Sequence, residues 1–207
     1  MVCTANICRS PYAAAVLGAR LSRLPGQPGF QVTSAGTKAI RDAGLCSEAA
    51  SLLSGERVTG ESPAHASSLV DDSAIDSADL VLVMELAHRS AVALISPSAR
   101  QRTFTLREAA RLAQHVQLGP RPDSSDHDAP GDVRFREFVE ELNSLRGDAR
   151  LTAPAAGPWW KRTSSRGIDP LDIPDGHNST NRQHKAVLAQ VGEATENIAA
   201  DLTRLFA

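Results

Sequence analysis

Apolar and polar positions along the 207-residue chain alternate between two periods. Residues 11–24 (PYAAAVLGARLSRL) predict a helix, since Pro11 suits a first helical turn and Ala and Leu dominate the rest of the stretch. FQVTSAGT, from Phe30, reads as a short strand ending in a glycine turn, and CSEAASLLSG reads as a helix closed by Gly55. ADLVLVME (78–85) is the clearest strand, a continuous apolar run of the kind buried on both faces of a parallel sheet. A helix (LAHRSAVALIS), a small strand (RTFTL) and a further helix (107–116) come next. This alternation predicts a doubly wound parallel sheet in a three-layer α/β/α arrangement.

Past that point the pattern changes. Residues 117–132 form a Pro- and Asp-rich polar stretch. Val133, Phe135, Phe138, Val139, Leu142 and Leu145 then fall at helical spacing, so an amphipathic helix is expected. Residues 149–168 lack a period but contain Trp159 and Trp160, and NRQHKAVLAQVGEATENIAADLTRLF ends the chain as a long striped helix. The expectation is one domain over 1–207, with a loop-and-helix insertion at about 117–170.

Composition narrows the function class. With 22 basic and 24 acidic side chains the formal charge is −2, so no strong field recruits nucleic acid or anionic lipid. No apolar run approaches the roughly 20 residues that span a bilayer, and no secretory leader pattern opens the chain. Three cysteines do not make a disulfide framework, so a reducing cytoplasm is the expected location. His65, His88, His115, His127, His177 and His184 lack metal-site spacing, and a solvated loop is the reading of the Asp-rich stretch 123–132. No metal and no cofactor are assigned.

The candidate chemistry lies in the first residues, VCTANICRSP. Cys3 and Arg9 are separated by five residues, with Ser10 next and Pro11 opening a helix. Backbone N–H groups of a tight loop and a helix N-terminus point at a shared anion, and their positive field favours a thiolate on Cys3. Arg9 offers a planar two-pronged donor to phosphoryl oxygens, and Ser10 a hydrogen bond to sulfur. Together these residues suit attack on a phosphate ester through a cysteinyl-phosphate intermediate.

This string resembles the signature of the low-molecular-weight protein tyrosine phosphatases in their bacterial form, roughly VC-x-G-N-I-C-R-S-P. VTSAGTKA (32–39), SADLVLVMELAHRSAVALI and RTFTLREAARL resemble further segments, so the likeness covers residues 2–116 and 171–206. The resemblance implies Cys3 as nucleophile and Arg9 as phosphate-binding arginine, in a loop formed by Thr4, Ala5, Asn6, Ile7, Cys8 and Ser10. It implies that Ser10 steadies the thiolate, that Asn6 holds the loop, and that Ser34 packs behind it. Cys8 matches a cysteine that pairs reversibly with the nucleophile on oxidation. The implied substrate is a protein phosphotyrosine or a small aryl phosphate.

The general acid is expected in RGIDPLDIPDGHNS. The resemblance of DIPDG to Ile-Pro-Asp-Pro, and the ungapped apolar stripe after it, favour Asp175; the literal Asp-Pro dipeptide makes Asp169 the alternative. Asp172 reads as a loop residue, and Gly176 stands where relatives have proline. Other departures are Ala5 in place of glycine, which calls for a negative φ or modest strain, the stretch SPYAAAV without the usual acidic residue, Ile40 at a variable pocket wall, and His177 and Asn178 in place of aromatics. Trp159 and Trp160 are candidates to rebuild an aromatic wall or to anchor their loop.

Of the central strand of about five apolar residues that relatives have before the cysteine, only Val2 remains ahead of Cys3. The expectation is a start placed downstream of the true one, with a gain of stability on upstream extension; the alternative is an impaired protein. Two rival functions stay open: a thiol-dependent arsenate reductase using the same oxyanion loop, and a catalytically weak phosphate-binding regulatory module.

Overall fold

The computed structural model describes residues 1–24, 29–55, 65–119, 130–148, 151 and 169–206. Trp159, Trp160 and His127 lie outside the described residues. Four short parallel strands form the sheet: β1 (Val2–Cys3), β2 (Ala35–Gly36), β3 (Val81–Val83) and β4 (Thr103–Thr105). Their spatial order is β2-β1-β3-β4. The helices are α1 (Arg9–Leu21), α2 (Ser47–Gly55), α3 (Asp72–Asp76), α4 (Leu86–Ile95), α5 (Leu106–Ala113), α6 (Pro130–Leu145) and α7 (Asn181–Phe206), with a 3-10 turn over Pro97–Arg102.

The strands are shorter than their apolar runs. Of FQVTSAGT only Ala35–Gly36 joins the ladder, and of ADLVLVME only Val81–Val83. Helix α3 and the 3-10 turn escape periodicity because both are little more than a turn long.

Alternation along the strands builds two cores. Cys3, Leu82, Met84 and Phe104 face one side and pack under α1, α5, α6 and α7. Val2, Val81 and Val83 face the other and meet Val70, Ile75, Val92 and Ala99 beneath α3, α4 and the 3-10 turn. The result is the three-layer sheet that the alternation of elements predicts.

On the larger side, α7 lays its stripe of Leu188, Val191, Ile198 and Leu202, each 1 % exposed or less, against α1 and α5. Phe138 and Leu142 of α6 are fully buried in that same core. Helix α5 opens with a capping box between Thr105 and Glu108. The buried Glu108 carboxylate also meets Arg146 at 3.2 Å and Arg89 at 3.5 Å, and Arg146 stacks 3.8 Å over Phe104.

Short as it is, β1 pairs on both sides, Val2 with Ala35 and Val83 and Cys3 with Gly36. The Met1 amino group donates to Thr33 O at 2.8 Å. Beside it lies a cavity of about 490 Å³ whose walls include Met1, Val2, Thr33, Leu80 and Val81. It opens at the N-terminal end of the strands, away from the loop that leaves Cys3.

Leu188→Ala, which empties a fully buried position on α7, is expected to lower unfolding free energy by about 2–5 kcal/mol. Urea denaturation checks this, with the midpoint falling at unchanged slope.

Candidate functional site

The loop from Cys3 to Arg9 leaves β1 at the carboxyl end of the sheet, where ligands of open parallel α/β folds gather. To close so tightly it needs one left-handed residue, and Asn6 supplies it at φ 56°. Asparagine tolerates that region better than most side chains. Ala5 keeps a negative φ, so alanine stands there without left-handed strain.

The Asn6 side chain is fully buried and bonded at both ends. Its Nδ2 donates to Ser10 Oγ at 3.0 Å and to Ser34 Oγ at 2.8 Å, while its Oδ1 accepts from Ser68 N at 3.0 Å. Ser34 thus sits behind the loop. Gly36 is needed there as well, since a Cβ on it would lie 2.6 Å from Thr4 O and 3.0 Å from Asn6 N.

Cys3 is 2 % exposed, and its sulfur has two polar neighbours, Ser10 Oγ at 3.0 Å and Asn6 N at 3.3 Å. Ser10 accepts from Asn6, which leaves its own hydrogen for the sulfur or for Ala35 O at 3.3 Å. Helix α1 begins at Arg9, so its amino end, with its partial positive charge, faces the loop.

Arg9 is 3 % exposed and held on several sides. Its Nη1 donates to Ile173 O at 2.9 Å and to the Glu85 carboxylate. Its Nη2 donates to Thr4 Oγ1 at 3.3 Å and lies 3.4 Å from Asp175 Oδ2. Thr4 Oγ1 also meets His88 Nε2 at 2.9 Å. Burial pushes His88 below its ordinary range, with Glu85 pulling the other way, so the neutral imidazole is favoured.

The segment from Asp169 to Asp175 is pinned along the end of β3. Ile173 N donates to Met84 O at 2.8 Å, and Arg107 donates to Pro170 O at 3.2 Å and Asp172 O at 3.0 Å. Asp172 does more than occupy a loop: its Oδ1 accepts from Leu86 N at 2.7 Å and so caps α4. Partial burial raises its pKa.

This docking separates the two acid candidates. Asp175 is exposed and reaches Arg9, whereas Asp169 Oδ1 accepts from Leu171 N at 2.8 Å within its own turn. Asp175 Oδ1 in turn accepts from His177 N at 2.9 Å.

Cys8 stands at the N-cap position of α1 but its side chain turns away from the helix end, with its sulfur 3.1 Å from His177 Nδ1. The neighbouring Cys46 thiol pushes Cys8 up, and the same pairing lowers Cys46 to about 6. All three cysteines are free. Ile7 lends its carbonyl to Cys46 N at 2.8 Å. The segment after β2 borders the loop through Thr37 N to Cys3 O at 2.9 Å and Lys38 N to Thr4 O at 2.8 Å, and leaves Ile40 81 % exposed.

Sequence reasoning missed Glu85, His88 and His65. Glu85 was marked only by its place at the carboxyl end of the clearest strand. His65 Nε2 lies 2.6 Å from Asn6 O, a contact across 59 residues that spacing does not reveal. No helix among the described residues is long and apolar enough to cross a membrane.

Comparison with known proteins agrees with this geometry. Residues 1–147 match the sequence model of the family described as low molecular weight phosphotyrosine protein phosphatase. Over 107 residues the chain is 36 % identical to a protein-arginine-phosphatase of Geobacillus stearothermophilus, covering 52 % of this chain and 67 % of the relative. Over 104 residues it is 39 % identical to the probable low molecular weight protein-tyrosine-phosphatase AmsI of Erwinia amylovora, covering 50 % of this chain and 67 % of the relative. The solved YwlE arginine phosphatase from Geobacillus stearothermophilus superposes with a TM-score of 0.58 at 23 % identity, covering 98 % of this chain and 90 % of that one. Wzb of Vibrio vulnificus in complex with benzylphosphonate gives 0.55 at 21 % identity, covering 96 % and 94 %, and at such identities both likenesses speak to the fold alone. With its fold, its Cys3-to-Ser10 loop and a family match over most of its length, the chain belongs to the low molecular weight phosphotyrosine protein phosphatase family.

Proposed function

We propose that the protein hydrolyses phosphotyrosine on protein substrates through a cysteinyl-phosphate intermediate, with Cys3 as nucleophile, Arg9 as phosphate clamp and Asp175 as general acid and base. The observation that supports it most directly is the approach of the Asp175 carboxylate to Arg9, which ends the loop that Cys3 begins, with Arg9 Nη2 3.4 Å from Asp175 Oδ2. In this reading the Cys3 thiolate attacks phosphorus while the bond to the phenolic oxygen breaks. The departing oxygen takes the Asp175 proton. Asp175, now a carboxylate, then takes a proton from the water that attacks phosphorus; the P–S bond breaks, and phosphate and the thiolate are released.

Loop N–H groups and the Arg9 fork match the oxygens that share charge in the transition state. Glu85 and Ile173 O hold Arg9 in one orientation, so Arg9 binds without first being ordered. The hydrogen bond from Ser10 steadies the sulfur when it leaves in the second step. The apolar Ile40 on the bordering segment and the exposed His177 beside Asp175 would wall an aryl ring.

Cys3→Ser is expected to reduce hydrolysis of a chromogenic aryl phosphate by at least about 10³-fold; equal rates would overturn the enzymatic reading in favour of a phosphate-binding module. Arsenate reduction measured in parallel is expected to be absent, and turnover of arsenate with no phosphatase activity would replace the proposal.

Asp175→Asn is expected to lower kcat by about 10²- to 10⁴-fold, most for poor leaving groups, while Asp169→Asn stays close to wild type. The reverse ranking would move the acid to Asp169. One relative is named for phosphoarginine, so peptides bearing either group should be compared. Faster release of phosphate from phosphoarginine would overturn the tyrosine assignment.

A further inference from the structure

Four sulfur and nitrogen donors converge beside the Cys3–Arg9 centre, and none of them makes or breaks a bond in the proposed hydrolysis. Cys8 lies at the N-cap of α1, Cys46 just before α2, His177 two residues past Asp175, and His184 in the first turn of α7. One donor atom from each lies within 4.8 Å of all the others. Cys8 Sγ is 3.1 Å from His177 Nδ1 and Cys46 Sγ is 3.8 Å from His184 Nε2. The two imidazoles stand edge to face, with centroids 5.5 Å apart at 89°.

The backbone holds these donors from four separate elements. Cys46 N donates to Ile7 O at 2.8 Å, which ties the start of α2 to the Cys3 loop. Gly176 lets the acid segment cross α7 at close range, since a Cβ there would meet Val187 at 3.0 Å and His184 Cα at 3.2 Å. That crossing sets His177 over His184. Cys8 and His184 are buried, Cys46 is half-buried, and His177 is exposed, so the cluster is open on one side.

We propose that Cys8, Cys46, His177 and His184 form a tetrahedral Cys2His2 site for a thiolate- and imidazole-preferring divalent cation, Zn²⁺ in class. Two sulfur and two nitrogen donors with no carboxylate among them suit that ion over the hard cations. With metal–sulfur bonds of about 2.3 Å and metal–nitrogen bonds of about 2.0–2.1 Å, tetrahedral neighbours stand roughly 3.3–3.8 Å apart. The two pairs at 3.1 and 3.8 Å are already near that spacing, and pairs out to 4.8 Å close by side-chain rotation. Loading releases the thiol protons to solvent. It also ties His177, on the Asp175 segment, to Cys8, the neighbour of Arg9, without engaging Cys3, whose sulfur keeps Ser10 and Asn6 as partners.

The test is metal binding by the full chain, reduced, stripped with a chelator and handled anaerobically, so it does not depend on phosphatase activity. One equivalent of Zn²⁺ should bind and raise the thermal midpoint. Co²⁺ should show the intense visible bands of tetrahedral coordination with thiolate charge transfer in the near ultraviolet. Cys46→Ser and His184→Gln should each weaken Zn²⁺ binding by more than about 100-fold, beyond the loss typical of a change outside the ligand set. Cys46→Ser should also lose about half the charge-transfer intensity, as expected when one of two thiolates is removed. Cys3→Ser should bind as wild type does. A weak octahedral Co²⁺ spectrum in the wild type, unchanged affinity in both ligand variants, or loss of binding in Cys3→Ser would each overturn the proposal. The wild-type spectrum decides even if a variant fails to fold.

Discussion

The Cys3–Arg9 loop depends on a single buried amide. A turn that leaves a strand and re-enters a helix within six residues exposes many N–H groups on one side, and nothing in such a loop stabilises its own shape. Asn6 resolves this by taking the left-handed conformation and bonding Ser10, Ser34 and Ser68 through its side chain. Each partner comes from a different part of the chain, so the loop is held by the fold around it. Gly36 allows that fold to come close enough. A buried amide with both ends satisfied is also costly to move, because breaking any bond leaves a polar group without water.

That anchor governs the remaining geometry. Fixing the loop sets the start of α1, and with it Arg9 and Ser10. Arg9 then serves as the meeting point of three elements: the loop through Thr4, the end of β3 through Glu85, and the 169–175 segment through Ile173 and Asp175. A buried guanidinium needs such partners, because desolvation without compensation would cost several kcal/mol. The same contacts that make its burial tolerable bring the Asp175 carboxylate to the rim of the Cys3–Arg9 loop. Asp172 and Arg107 hold the 169–175 segment from its other side. Packing and chemistry therefore share one set of bonds, and the opposite face of the segment turns His177 toward Cys8.

Much of this was legible in the sequence, for reasons of range. Helices α1, α2, α5 and α7 come from local periodicity and caps, and the loop chemistry comes from residues within eight positions of each other. The apolar run within 78–85 announced a central strand and hence a parallel sheet. The short strands were legible only as apolar runs, since ladder length depends on neighbours the run does not name. The choice of Asp175 over Asp169 rested on resemblance and on the stripe of α7; in the fold it is Asp175 that meets Arg9, from the far end of the chain.

Residue type and local spacing were enough for the strand–helix alternation and for the thiol–arginine loop as a candidate anion site, because each depends on groups adjacent along the chain, while the class of chemistry came from the resemblance of VCTANICRSP to a family signature. The grip on Arg9 by Glu85, the hold on the loop by Ser34, Ser68 and His65, and the gathering of Cys8, Cys46, His177 and His184 could not be read that way. Apart from pairs such as His177 and His184, seven positions apart, those residues are separated by tens to hundreds of positions, and their meeting depends on how the 169–178 segment and α7 pack across α1 and β3. A spacing rule sees donors on one element; this cluster takes one donor from each of four, and only close packing brings them within bonding reach.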